Sequence, residues 1–98
     1  KDFDQTIAMT IDFVTSNKET LLLVTADHET GGLQILSQKD DMVKVQWGTG
    51  SHTSIPVGVY AYGPGAHEFT GLMDNTDIHY MILDAIGTPN LEPLDCSN

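Results

Sequence analysis

The chain begins with a segment in which apolar residues recur at a helical period. Four apolar residues lie successively four, four and three residues apart, which is the spacing of one apolar face on an α-helix. The members are Phe3, Ile7, Ile11 and Val14. A helix is therefore predicted over residues 3–16. Asp2 with Gln5 three residues later resembles a capping box at its start.

Short apolar runs in the middle of the chain predict about four strands. Residues 21–26 are mainly apolar without alternation, which suits a strand buried on both faces. Residues 33–38 and 42–47 predict two strands around a polar turn, and alternation in the second predicts one solvent-facing side. Residues 57–62 predict a fourth strand that ends at a Gly-Pro-Gly sequence.

A second amphipathic helix is predicted near the end of the sequence. Its apolar face comprises Ile78, Met81, Ile82, Ala85 and Ile86. Asp74 or Asn75 would cap its start, and Gly87 and Pro89 would end it. Residues 89–98 show no period and are predicted to form a loose tail. A helix followed by a buried strand is half of an α/β repeat, so the α/β class is predicted.

Composition narrows the possible functions. The 98 residues fit one domain, and four Lys against fourteen Asp plus Glu give a net charge of −10. This balance argues against binding to nucleic acid or to an anionic membrane surface. No Arg is present, so these residues cannot supply a bidentate clamp on phosphate. Apolar runs are too short to span a membrane, and the single cysteine, Cys96, cannot form an internal disulfide.

Three polar residues are candidate metal ligands. Asp27 and His28 directly follow the predicted strand at 21–26, where ligands bind in open α/β sheets. They offer an oxygen and a nitrogen that zinc accepts, provided that the backbone bends, as Gly31-Gly32 would allow. His52 lies in a Gly/Ser/Thr loop. The alternative is that Asp27 caps the loop and both histidines are solvated. Three residues do not complete a closed structural zinc site, whereas a catalytic single zinc could use three protein ligands plus water.

Glu29, beside this pair, is a candidate for orienting the His28 imidazole from outside the ligand set. A solvated carboxylate is the alternative. His67 and His79 are predicted to be surface residues.

Four segments in order resemble the alkaline phosphatase family. They are residues 25–33 (TADHETGGL), 50–53 (GSHT), 59–67 (VYAYGPGAH) and 71–78 (GLMDNTDI). The resemblance covers nearly the whole chain, from residue 2 to about residue 87. It implies the C-terminal part of a three-layer α/β/α sandwich, with about two main helices and four strands in residues 1–98.

The resemblance also implies a chemistry. Enzymes of this family hydrolyse phosphate monoesters through a phosphoserine at a two-zinc site with magnesium nearby. By motif, Asp27 and His28 would bind the zinc that activates the serine, and His52 would bind the other zinc. His67 belongs to a matching segment but is not a metal ligand in the family. A periplasmic or secreted location is implied as well.

Several family features are missing from these 98 residues. The nucleophilic serine motif, the phosphate-binding arginine, the Asp-x-x-x-His zinc ligands and the acidic magnesium ligand all lie N-terminal to the resembling segment in the family. The chain therefore looks like the C-terminal fifth of such an enzyme, with no catalytic nucleophile and the N-terminal remainder as its necessary partner. A segment with so few helices is expected to expose apolar patches or to pair sheet edges in a homo-oligomer.

Two other hypotheses remain open on the residues alone. One is a metal-binding or interaction module that works without turnover. The other is a related metallohydrolase of the sulfatase or phosphodiesterase type, which would share an adjacent Asp-His pair directly after a strand.

Overall fold

Residues 1–87 are described by a computed structural model of the chain, and the predicted tail at 89–98 lies outside them. Helices and strands alternate irregularly along these residues. In order they are α1 (Asp2–Ser16), β1 (Leu22–Val24), β2 (Glu29–Thr30), β3 (Leu33–Lys39), β4 (Met42–Trp47), β5 (His52–Thr53), β6 (Tyr60–Tyr62), a 3₁₀ turn (Ala66–Glu68) and α2 (Asn75–Ala85). Both predicted helices and all four predicted strands are present. The two-residue strands β2 and β5 were not predicted.

The chain divides into two compact units. One contains Lys1–Leu23 and the chain from Tyr60 onward, and the other contains Val24–Val59. The strands pair two by two, as β1 with β6, β2 with β5 and β3 with β4. Neither helix among residues 1–87 has the length and apolar character that a membrane crossing requires.

The first unit is built on α1. Val14 on its apolar face is only 3% exposed, and Phe69 after the 3₁₀ turn is 5% exposed. The predicted capping box at Asp2 and Gln5 was wrong, because Lys1 is the N-cap and no side chain caps the helix. The Gln5 amide instead donates to the Lys1 carbonyl oxygen at 3.1 Å.

The strand β1 is shorter and less buried than predicted. All three of its residues are half-buried rather than buried on both faces. It pairs with β6 alone among the described strands, so one of its edges has no strand neighbour there. Burial on both faces of a strand needs covering layers that residues 1–87 do not provide.

The start of α2 follows its predicted chemistry. The Asp74 carboxylate accepts from the Thr76 amide at 3.0 Å, while the Asp74 amide donates to the Asp77 carboxylate at 2.9 Å. This is a capping box that satisfies amides with no partner inside the helix. At the other end Gly87 adopts a left-handed conformation (φ 69°), as the sequence predicts for a terminating glycine.

The hairpin β3–β4 is the main feature of the second unit. Leu33 pairs with Trp47 and Lys39 with Met42, and a register shift interrupts the ladder between Ile35 and Ser37. Alternation predicted one solvent-facing side of β4, whereas every residue of both strands is exposed, so both sides of β4 face solvent. The hairpin pairs only with itself among the described strands, so each of its two outer edges lacks a strand neighbour there.

Candidate metal centre

The backbone bends directly after β1 and presents Asp27 and His28 on the same side. The Asp27 carboxylate accepts from the His28 backbone amide at 3.0 Å. Its other oxygen, Oδ2, lies 3.6 Å from Nε2 of the His28 ring. An exposed oxygen and an exposed nitrogen thus stand side by side, and in a regular strand they would point to opposite faces.

The orientation of the His28 ring is set by its own loop. Nδ1 lies 3.0 Å from the Glu29 carbonyl oxygen and 3.2 Å from the Thr30 hydroxyl oxygen. A carbonyl oxygen can only accept, so Nδ1 carries the proton of that hydrogen bond. In the neutral ring Nε2 then keeps its lone pair, and this is the nitrogen beside Asp27.

The short strands β2 and β5 bring His52 to His28. Thr30 pairs with His52 and Glu29 pairs with Thr53 in an antiparallel ladder. The His28 and His52 ring centroids lie 4.7 Å apart, with their planes tilted by 43°. Two histidines that are 24 residues apart in sequence are therefore direct neighbours.

Glu29 contributes differently from its predicted role. The atom beside the His28 ring is its carbonyl oxygen, whereas its carboxylate accepts from the Gly32 amide at 3.0 Å, the Leu33 amide at 3.3 Å and the Thr53 hydroxyl. These hydrogen bonds, led by that from Thr53, lower the pKa of the Glu29 carboxyl below its ordinary value of 4.5. The carboxylate thus joins Gly32 and Leu33 of its own loop to Thr53 on the neighbouring strand.

Gly31 ties the two ligand-bearing loops together through its backbone. Its amide donates to the Ser51 carbonyl at 2.8 Å, and its carbonyl accepts from the Gly48 and Thr49 amides at 2.8 Å and 3.1 Å. The residue is buried and adopts φ 85°, a conformation that favours glycine. Gly31 and Gly32 thus form a turn, and these three bonds link it to the loop that carries His52.

The three predicted ligands meet as pairs, Asp27 with His28 and His28 with His52. Within residues 1–87 no three His, Cys, Asp or Glu side chains are gathered closely enough to hold a metal ion by themselves. The remaining histidines belong to the other unit, where His67 lies 2.9 Å from the Glu68 carboxylate and His79 contacts Tyr80 edge-on. Cys96 lies outside the described residues.

Comparison with known proteins shows similarity to the alkaline phosphatase family. A sequence model of the alkaline phosphatase family matches residues 37–88. The alkaline phosphatase of Escherichia coli K12 is 32% identical over 104 residues, which cover 88% of this chain and 22% of that protein.

Solved structures give the same result. The alkaline phosphatase of the Antarctic bacterium TAB5 superposes with a TM-score of 0.82 at 33% identity, over 91% of this chain and 28% of that one. A variant of the TAB5 enzyme with bound Mg matches with the same TM-score at 32% identity, over 91% of this chain and 29% of that one. The chain therefore spans between about a fifth and a third of the length of the proteins it matches, and its predicted fold class is confirmed.

Proposed function

Since the chain belongs to the alkaline phosphatase family, we propose that it is the C-terminal, metal-ligand-bearing part of an enzyme that hydrolyses phosphate monoesters through a phosphoserine. The observation that carries the proposal is the juxtaposition of Asp27, His28 and His52. Their side chains come from two loops that five backbone and side-chain hydrogen bonds hold together, and His28 lies beside both Asp27 and His52.

The donor set fits zinc. Carboxylate oxygen and neutral imidazole nitrogen are both zinc ligands, and the His28 tautomer leaves Nε2 available beside the Asp27 carboxylate. In the proposal Asp27 and His28 hold one zinc and His52 holds the second. Such a metal pair neutralises charge on the attacking and leaving oxygens of an in-line displacement.

Other parts of the catalytic machinery would come from outside this chain. The nucleophilic serine, the phosphate-binding arginine, the remaining zinc ligands and the magnesium ligand have no counterpart in these 98 residues. The isolated chain is therefore proposed to be inactive, with the N-terminal remainder of the phosphatase as its partner. A periplasmic or secreted location is part of the proposal and is tested by fractionating the cells that make the protein.

A chimera tests the activity. The segment of the TAB5 alkaline phosphatase that matches this chain is replaced by residues 1–98, and hydrolysis of p-nitrophenyl phosphate is measured with zinc and magnesium. We expect activity that His28→Ala and His52→Ala each abolish. His79→Ala is the matched control, because His79 lies on α2 in the other unit and should leave the rate unchanged.

Two results would contradict the proposal. One is a folded, metal-loaded chimera without activity. The other is activity that survives both His28→Ala and His52→Ala. Tight binding of a single zinc by the isolated chain would instead favour the alternative of a metal-binding module without turnover.

A further inference from the structure

The carboxylate of Glu29 connects the two loops that carry the histidines. On its own loop it accepts from the amides of Gly32 and Leu33, and across the ladder it accepts from the hydroxyl of Thr53. Thr53 is the residue next to His52, and Glu29 is the residue next to His28. Each end of this connection is thus one residue away from a candidate ligand.

We propose that Glu29 and Thr53 form a brace that sets the separation of the His28 and His52 rings, so that Glu29 is a positioning residue for the metal pair. The inference rests on the proposed function, because it takes the two histidines as zinc ligands. It assigns the Glu29 carboxylate a task that is different from contact with the imidazole.

The need for a brace follows from the shortness of the ladder. The strands β2 and β5 have two residues each, and a two-stranded pairing is marginal in water even when it is longer. The loops also join through Gly31, but those bonds run to Ser51, Gly48 and Thr49 and do not reach Thr53.

The carboxylate is well suited to this task. It has enough acceptor sites for all three donors at once, and hydrogen bonds to an ionised acceptor are stronger than neutral ones. Glu29 and Thr53 are both half-buried, so water competes less for this bond than for one between fully exposed side chains. The brace therefore holds His28 and His52 in place before any ion arrives.

The Thr53 hydroxyl can be removed with little change of shape. Thr53→Val deletes the donor and keeps the branched side chain, whereas Thr53→Ser keeps the donor and removes a methyl group. Thr10→Val is the control for a generic Thr→Val effect, since the Thr10 hydroxyl donates only to the Thr6 carbonyl within α1. All variants are made in the 98-residue chain.

The first readout needs no metal. The ring–ring NOE between His28 and His52 should be strong in the wild type, in Thr53→Ser and in Thr10→Val, and it should weaken or vanish in Thr53→Val. In the second readout, a zinc titration, Thr53→Val should weaken binding about tenfold to a hundredfold, the usual effect of losing a group that orients a ligand. A loss of stability alone would leave the NOE of the folded molecules unchanged.

The outcomes separate this inference from the proposed function. An unchanged NOE and zinc affinity in folded Thr53→Val would overturn the brace. If the His28 and His52 resonances do not change on addition of zinc while their ring–ring NOE depends on Thr53, the ligand assignment is refuted and the brace is supported. If Thr53→Val does not fold, Glu29→Asp provides the same test. Its side chain is one methylene shorter, so it should lose the bond to Thr53 or the bond to Gly32.

Discussion

Gly31 is the residue at which a single added methyl group should disturb the candidate site most. Its φ of 85° lies in the left-handed region, where an L-residue costs roughly 1–2 kcal/mol. A Cβ at this position would overlap Cε3 of the Trp47 ring and lie 2.9 Å from Cζ3. Overpacking of a well-packed core costs about 1–3 kcal/mol, which is an upper range here because the Trp47 ring is 58% exposed and can turn aside. Gly31→Ala should therefore destabilise the second unit by more than the conformational cost alone and by at most about 5 kcal/mol, the sum of the two costs.

Variants of Gly32 and Gly50 separate the conformational cost from the overpacking cost. Gly32 also has a positive φ, of 57°, but its Cβ would meet Thr53 Cγ2 at 3.6 Å, an ordinary contact. Gly32→Ala should cost only the conformational part, roughly 1–2 kcal/mol. Gly50 has no positive φ and no atom within 4 Å of the added Cβ, so Gly50→Ala should be close to neutral.

Urea unfolding of the 98-residue chain gives the free energy of unfolding of the three glycine variants and of the wild type. Trp47 is the single tryptophan and lies in the same unit, so its fluorescence reports this unfolding. Replacing Trp47 by Ala should reduce the cost of Gly31→Ala to that of Gly32→Ala, and circular dichroism follows this double variant. Equal unfolding free energies for Gly31→Ala and Gly32→Ala with Trp47 intact would refute the reasoning, because the ring would then not lie over Gly31.

The remaining predictions concern the hairpin turn, the cap of α2 and catalysis. Asp40 adopts φ 53° and Asp41 has no positive φ, so Asp40→Gly should be neutral or stabilising and Asp41→Gly should cost about 0.5–1 kcal/mol in urea unfolding. Hydrogen bonds from Thr76 lower the pKa of Asp74 below its ordinary value of 3.8. The stabilisation by this cap should therefore be complete above pH 3.8 and be lost as the pH falls through the lower, folded-state pKa. Thermal melts followed by circular dichroism should show this loss in the wild type and a smaller one in Asp74→Ala. The isolated chain with zinc and magnesium should show no phosphomonoesterase turnover, and a rate that His28→Ala removes would contradict its assignment as a part of the site.

The elements with a strong local signal were predictable. Val14 and its partners define the face of α1, and Asp74 and Gly87 mark the two ends of α2 by well-understood capping chemistry. The β3–β4 hairpin follows from two apolar runs around a polar turn. In each case the residues that determine the element are close together in sequence.

The features that depend on distant residues were not predictable. The strands β2 and β5 have two residues each, which is too few for any periodic pattern. They are defined by the pairing of Glu29 with Thr53, which are 24 residues apart in the sequence. The burial of β1 was overestimated. An apolar run indicates how deeply a strand is buried in the complete protein, whereas residues 1–87 supply only part of the layers that would cover β1. The sequence marked Glu29 as a neighbour of the ligands, but the direction of its carboxylate is a tertiary property.

The most direct test of the metal-ligand assignment is a zinc titration of the chain, with the four histidine rings followed by NMR. The His28 and His52 resonances should shift together while those of His67 and His79 remain in place. Affinity should be weak, because three ligands divided between two ions leave each site incomplete. If His28 and His52 do not respond, or if all four rings shift alike, the assignment of His28 and His52 as ligands is wrong, and the central claim falls with it.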